Sequence, residues 1–78
     1  MKERKLMDDK MKARLDNDFM YHAPKEGQPA KYEAIRAKAK ELAVLIAEMT
    51  PVSREQSVAF AELDKAVFFA NAAIARNG

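Results

Sequence analysis

Residues 42–60 have the sequence LAVLIAEMTPVSREQSVAF, in which an apolar run meets a Thr-Pro break and then the start of a helix. The residue before a proline disfavours helical dihedrals, so the helix that contains the apolar run ends at Thr50. Ser53 and Gln56 form a capping box, in which the serine hydroxyl accepts the Gln56 N–H while the glutamine amide reaches back. A turn of about four residues between two helices predicts an antiparallel hairpin.

Apolar residues repeat at heptad spacing on both sides of this turn. The first stripe predicts a helix over about residues 29–49 and contains Ile35, Ala39, Leu42, Ile46 and Met49. The second predicts a helix over about residues 54–76 and contains Phe60, Leu63, Val67, Ala70 and Ile74. Alternating intervals of three and four residues are typical of helices packed lengthwise. The predicted fold class is all-α, an antiparallel helical hairpin.

The N-terminal region predicts a further helix over residues 2–19, because apolar side chains again recur at roughly helical spacing: Leu6, Met7, Met11, Leu15 and Phe19. Pro24 and Gly27 then interrupt the pattern, and Pro29 suits the first turn of the next helix. We therefore divide the chain into an N-terminal helical extension, residues 1–18, and a hairpin domain, residues 19–78.

The third predicted helix is apolar nearly all round, since Phe68 and Phe69 lie off its stripe on opposite sides. One neighbouring helix cannot cover such a surface, and 78 residues are near the lower limit for a lone hydrophobic core. We expect the hairpins to assemble into a compact homo-oligomer. The alternative is a monomer in which the first helix covers the same face.

Composition excludes several classes of function. The chain has no cysteine, so disulfides and thiolate metal sites are excluded. Its net charge of +2 does not suggest a DNA-coating protein, and no apolar run approaches the length of a membrane span or a secretion signal. His22 is the only histidine and no nucleophile lies near it in sequence. We therefore expect a soluble, intracellular protein that is not an enzyme and carries no metal or cofactor.

The segment between the first two helices is the strongest candidate for binding. It combines aromatic, imidazole and cationic groups on a proline-stiffened loop, with Tyr21, His22, Pro24 and Lys25 as candidate ligand contacts. Such a loop suits a nucleotide, because an aromatic ring stacks on bases and the basic N-terminal half of the next helix favours phosphate. The alternative is structural: Tyr21 packs on the hairpin and His22 caps a helix.

Four motifs together resemble a known family: Phe19-x-Tyr21-His22-Ala23-Pro24, Tyr32-Glu33-Ala34-Ile35-Arg36, Ser53-Arg54-Glu55-Gln56-Ser57 and Ala70-Asn71-Ala72-Ala73-Ile74-Ala75-Arg76-Asn77. This combination resembles the tailed-phage anti-CBASS cyclic-nucleotide sponges, which are grouped with the Thoeris-inhibiting sponges. The resemblance covers about residues 19–77, and the Ala70–Asn77 run is its most specific element. No role is carried over to residues 1–18.

The resemblance implies a homo-oligomer, a hexamer in known members, that sequesters cyclic oligonucleotides in the cytoplasm of the infected host without cleaving them. Cyclic dinucleotides of the 3′,3′-cyclic GMP-AMP type would bind between pairs of subunits, and cyclic trinucleotides of the tri-adenylate type at sites shared by three. Tyr21 would stack on bases, Arg36 or, in reserve, Lys40 would meet dinucleotide phosphate, and Arg76 would meet trinucleotide phosphate. Two alternatives remain: a sponge for cyclic ADP-ribose signals, and a helical module that binds a partner protein.

Overall fold

A computed structural model of the chain describes residues 8–78. Over these residues the chain forms three helices and no strand: α1 (Asp9–Asp18), α2 (Gln28–Met49) and α3 (Arg54–Asn77). The predicted bounds of the two long helices are confirmed to within one residue at each end. Within the described part, α1 ends one residue before the predicted end at Phe19; the predicted residues 2–7, which include Leu6 and Met7, lie outside the described part.

Local chemistry explains where each helix begins. The Asp8 carboxylate accepts the Met11 N–H at 2.7 Å and caps α1. Gly27 precedes α2 at φ 83°, a left-handed conformation that glycine adopts without steric cost. Ser53 caps α3, because its hydroxyl accepts the Gln56 N–H at 3.1 Å. Each helix therefore starts at a residue suited to the backbone it must adopt.

Of the two bonds of the predicted capping box, the one from the Gln56 N–H to the Ser53 hydroxyl forms, and the one from the Gln56 side chain does not. The Gln56 side-chain amide does not reach back to Ser53; its Nε2 donates to the Thr50 carbonyl at 3.1 Å and to the Thr50 hydroxyl at 3.0 Å. Nε2 is a donor, and the Thr50 oxygens before Pro51 are acceptors within its reach, so this pairing satisfies both partners. The glutamine closes the turn between α2 and α3 instead of only capping a helix.

The two long helices pack along each other, and the start of α2 lies beside the end of α3, since the Gln28 side chain bonds the Ile74 carbonyl. The hairpin is therefore antiparallel, as predicted. On α3 the whole predicted stripe is half-buried. On α2 the stripe differs at two positions: Leu42 and Met49 are exposed, while Ala43 is half-buried. A small residue thus lies where the heptad spacing placed a leucine.

A single chain does not build a hydrophobic core: among residues 8–78 no apolar side chain is buried. Phe68 and Phe69 are 63% and 58% exposed, with their rings in edge-to-face contact. Helix α1 does not cover them, and its own Met11 and Leu15 are exposed as well. In this structure the first helix therefore does not cover the apolar face of α3, contrary to the alternative.

Candidate functional site

The candidate residues fall into two regions. The first, which we call the open end, consists of residues 17–28 and 74–78, where the loop after α1 meets the last turn of α3. The second, which we call the groove, lies between α2 and α3 and contains Arg36 and Lys40. The turn at residues 50–56 is called the closed end.

Side chains from residues 17–28 cap the final carbonyl groups of α3 at the open end. Asn17 Nδ2 donates to the Arg76 carbonyl at 3.1 Å, and Lys25 Nζ donates to the Gly78 carbonyl at 2.9 Å. The last carbonyls of a helix have no partner within the helix, and a cation at this end also complements the helix dipole. The loop therefore serves as the C-terminal cap of α3.

The predicted loop residues differ in how they are used. His22 is half-buried, and its Nε2 donates to the Asn17 carbonyl at 2.7 Å, so it caps the end of α1, as in the structural alternative. Tyr21 does not pack on the hairpin, because its side chain is 82% exposed. Pro24 is exposed beside it. The open end thus presents two exposed aromatic rings, Phe19 and Tyr21, and its loop is held by bonds between side chains and backbone.

Arg76 is placed at the open end by the last turn of α3. Its Nη1 lies 3.9 Å from Asp18 Oδ1, and the other oxygen of that carboxylate lies 3.8 Å from Arg14 Nε. The Arg76 side chain is 34% exposed. An anion that binds Arg76 would therefore share it with Asp18, at a position next to the tyrosine loop.

The groove consists of two adjoining depressions of about 350 and 400 Å³, both lined by Arg36 and both open to solvent. A ligand bound to one chain would therefore stay largely exposed there. The first depression is lined by Ala39, Lys40, Ala43, Phe60, Leu63, Asp64 and Val67, and the second by Tyr32, Phe68, Asn71, Ala72 and Ala75. The walls are mostly apolar and the cations lie along one helix, an arrangement that accommodates a base next to a phosphate.

The polar side chains that line the groove have no hydrogen-bond or ion-pair partner among the described residues; they are Tyr32, Arg36, Lys40, Asp64 and Asn71. The Arg36 guanidinium forms no ion pair or hydrogen bond there, although Asp64 lines the same depression. The Asn71 Oδ1 atom is inaccessible to solvent and has no hydrogen-bond donor. Buried polar atoms are normally paired with protein or with ordered water.

One chain does not bring all the predicted residues together. His22, Lys25 and Arg76 lie at the open end. Arg36 lies eight residues beyond Gln28 along α2, about 12 Å at 1.5 Å per residue. Tyr21 lines neither depression of the groove. The Tyr21 ring and the Arg36 guanidinium therefore belong to different regions of the chain's surface.

Sequence reasoning missed the polar residues that tie the open end together: Asn17, Asp18 and Gln28. Their partners lie on α3, as far as 59 positions away for Asn17. No local spacing rule signals such a contact, and a glutamine before a proline is ordinarily exposed.

Within residues 8–78 no group of three or more histidine and carboxylate side chains is arranged to hold a metal ion. None of the three helices is long and apolar enough to cross a bilayer.

Comparison with known proteins gives one finding. The family model described as "Acb2/Tad1, hairpin domain" matches residues 11–75, which include most of α1 and almost all of the hairpin. No curated protein and no solved structure matches the chain significantly.

Proposed function

Because the chain belongs to the Acb2/Tad1 hairpin-domain family of anti-CBASS and anti-Thoeris sponges, we propose that it binds cyclic oligonucleotide second messengers and withholds them from the host's CBASS sensors. The messenger is sequestered and not cleaved, so inhibition depends on the amount of protein and on its affinity. Free ligand falls only when binding sites outnumber it and the dissociation constant lies below the sensor's threshold. The protein acts in the cytoplasm of the infected cell.

The observation that carries this proposal is the separation of two complementary groups in a chain of this family. An exposed Tyr21 ring stands at the open end, and an Arg36 guanidinium without a partner in the described part lies in the groove. A base needs the first group and a phosphate needs the second. We infer that one ligand reaches both groups by lying between two chains, with Tyr21 from one chain and Arg36 from the other.

The absence of a buried apolar side chain among residues 8–78 supports a homo-oligomer, which we propose is a hexamer. Burying a large apolar side chain contributes about 1.5–3 kcal/mol of stabilisation. The half-exposed apolar side chains would gain much of this free energy only when another chain covers them. Leu42, Val44, Leu45, Phe68 and Phe69 are each between 46% and 63% exposed. Contacts between copies would bury these residues and bring the open end of one chain towards the groove of another.

A two-fold axis between two chains fits the ligand we propose. A cyclic dinucleotide has approximate two-fold symmetry, with two bases and two phosphates, and a two-fold interface presents each side chain twice. Two Tyr21 rings contribute about 1–3 kcal/mol each by stacking, and two Arg36 contacts contribute about 1.5–3 kcal/mol each. The summed binding free energy of these contacts is compatible with nanomolar affinity after the cost of association is subtracted.

Cyclic trinucleotides would use the open end differently. We propose that three copies of Arg76 converge on the three phosphates, each released in part from Asp18. The dinucleotide site and the trinucleotide site would then have separate basic residues. His22 and Lys25 support the loop between them, since both donate hydrogen bonds to backbone carbonyls.

The test is calorimetry with the full chain against a cyclic dinucleotide, a cyclic trinucleotide and cyclic ADP-ribose. We expect submicromolar binding of the dinucleotide and recovery of intact ligand by chromatography after the protein is heat-denatured. Arg36→Ala should weaken dinucleotide binding more than Lys40→Ala, because only Arg36 lines both depressions. Cleaved ligand, or no binding of either cyclic oligonucleotide, would contradict the proposal. Binding of cyclic ADP-ribose alone would favour the anti-Thoeris alternative that the family name includes.

A further inference from the structure

Gln28 is the one buried residue in the described part of the chain, with 4% of its surface exposed. It is the first residue of α2 and precedes Pro29. Glutamine is a residue type that proteins mostly leave exposed, and burying its amide is costly unless the amide is hydrogen-bonded. Its burial at the open end therefore has a cost that its contacts must offset.

The Gln28 amide satisfies this requirement on both sides. Its Oε1 accepts the Lys25 backbone N–H at 2.9 Å, and its Nε2 donates to the Ile74 carbonyl at 3.1 Å. The Gln28 backbone N–H also donates to the Lys25 carbonyl at 3.1 Å. One side chain thus links the backbone of the loop to the last turn of α3, across 46 positions of sequence.

This link bears on Tyr21, which lies four residues before Lys25. With 82% of its side chain exposed, Tyr21 gains little support from packing, so the backbone of its loop must set the direction of the ring. The loop is fixed on one side by His22 on the Asn17 carbonyl and on the other by Gln28. A loop that is ordered before binding avoids the entropy cost of being ordered by the ligand.

We propose that Gln28 is a positioning residue for Tyr21: it acts through the loop and does not touch the ligand. The inference rests on the proposed function: a loop ordered by Gln28 would let the exposed Tyr21 ring stack on a nucleotide base without a further entropy cost. Lys25 takes part through its backbone N–H and through its bond to the Gly78 carbonyl.

The test compares Gln28→Met with Gln56→Met in the full chain. Both variants replace an amide near the start of a long helix by an apolar side chain of similar length. Gln56 serves as the matched control because its amide bonds Thr50 at the closed end, away from the tyrosine loop. We expect Gln28→Met to weaken cyclic-dinucleotide binding by about tenfold or more, with two links lost at a two-fold site. Gln56→Met should bind as the unchanged protein does.

A double-mutant cycle with Tyr21→Ala separates positioning from general destabilisation. If Gln28 acts through Tyr21, then Gln28→Met causes no further loss of affinity in the Tyr21→Ala background. A merely structural role would cause the same additional loss in either background. NMR relaxation provides a readout without ligand: the Lys25 and Tyr21 amides should become mobile in Gln28→Met and remain rigid in Gln56→Met.

The outcomes distinguish the two proposals. If the unchanged protein binds tightly and Tyr21→Ala binds weakly, but Gln28→Met keeps full affinity, the positioning role is wrong and the sponge function stands. Additive losses in the cycle also overturn the positioning role. If the unchanged protein binds no cyclic dinucleotide, the dinucleotide function fails and the positioning role fails with it.

Discussion

The two ends of the hairpin are both tied by a glutamine side chain, but the ties differ in range. At the closed end the Gln56 amide bonds Thr50, six positions away. At the open end the Gln28 amide bonds Ile74, 46 positions away. The closed end uses neighbours in sequence to make a turn, whereas the open end uses the tertiary fold to hold a loop. The end that depends on distant partners is also the end that presents the candidate ligand residues.

The two ends also differ in burial. The one buried residue of the described part, Gln28, lies at the open end, whereas no residue of the closed end is buried. We therefore expect changes at the closed end to alter stability alone. Changes at the open end should alter ligand binding, with or without an effect on stability.

The largest effect is expected for Tyr21→Ala. Losing a stack of about 1–3 kcal/mol in each of two copies should weaken cyclic-dinucleotide binding by about 30-fold or more. The melting temperature should not change, because the ring is exposed. Tyr21→Phe keeps the aromatic face and should retain binding. Calorimetry and thermal melting check both variants, and equal affinity for Tyr21→Ala and Tyr21→Phe would remove the open end from the site.

Gly27→Ala should have the next largest effect. Gly27 has φ 83°, and an L-residue in the left-handed region costs about 1–2 kcal/mol. No atom lies within 4 Å of the position of an added Cβ, so the cost arises from backbone conformation and not from a clash. We expect a lower melting temperature and weaker dinucleotide binding together. Asparagine tolerates this conformation better than alanine, so the melting temperature and affinity of Gly27→Asn should lie between those of Gly27→Ala and the unchanged protein. A Gly27→Ala protein that binds normally would show that the loop tolerates a changed backbone before α2.

Ser53→Ala tests the closed end. Loss of the cap on Gln56 should cost about 1 kcal/mol, which lowers the melting temperature of a domain of this size by about 4–8 °C. Affinity for cyclic nucleotides should remain the same. The melts must be compared at one protein concentration, because assembly makes the melting temperature depend on it. A Ser53→Ala protein that is stable but binds poorly would break the division between the two ends.

The smallest effect is expected between the ends, at the exposed pair of Glu62 and Lys65. Their charged atoms are 3.3 Å apart on one face of α3, and both side chains are about 60% exposed. Pairs of this kind contribute about 0.2–0.5 kcal/mol. Glu62→Gln should therefore lower the melting temperature by no more than about 2–4 °C. The affinity should not change. A large loss of affinity would place this face of α3 in the site.

Sequence reasoning succeeded where the determinants are local. The Thr50–Ser53 turn, the cap at Ser53 and the bounds of α2 and α3 follow from residues within a few positions of one another, and the structure confirms them. The stripe on α2 was wrong at two positions, since Leu42 and Met49 are exposed and Ala43 is half-buried in place of Leu42. A strict heptad drifts relative to a helix of 3.6 residues per turn, and the partner helix decides which residue is covered.

The site was predicted less completely. Tyr21 is free and exposed, as a stacking residue must be, but its role, like those of Arg36 and Arg76, stays a prediction. The tie made by Gln28 had no signal, because it pairs a side chain with a backbone carbonyl on another helix. The division of the chain at residue 18 also stays a prediction. Asn17 and Asp18 contact Arg76 across that boundary, and the family match begins at Met11.

The central claim is that each ligand is held by more than one copy of the hairpin. Native mass spectrometry of the full chain with an excess of cyclic dinucleotide tests it most directly, because it reports subunit number and ligand number together. We expect a hexamer that carries one dinucleotide for every two chains. Single chains, or an assembly that carries one dinucleotide on every chain, would contradict the account.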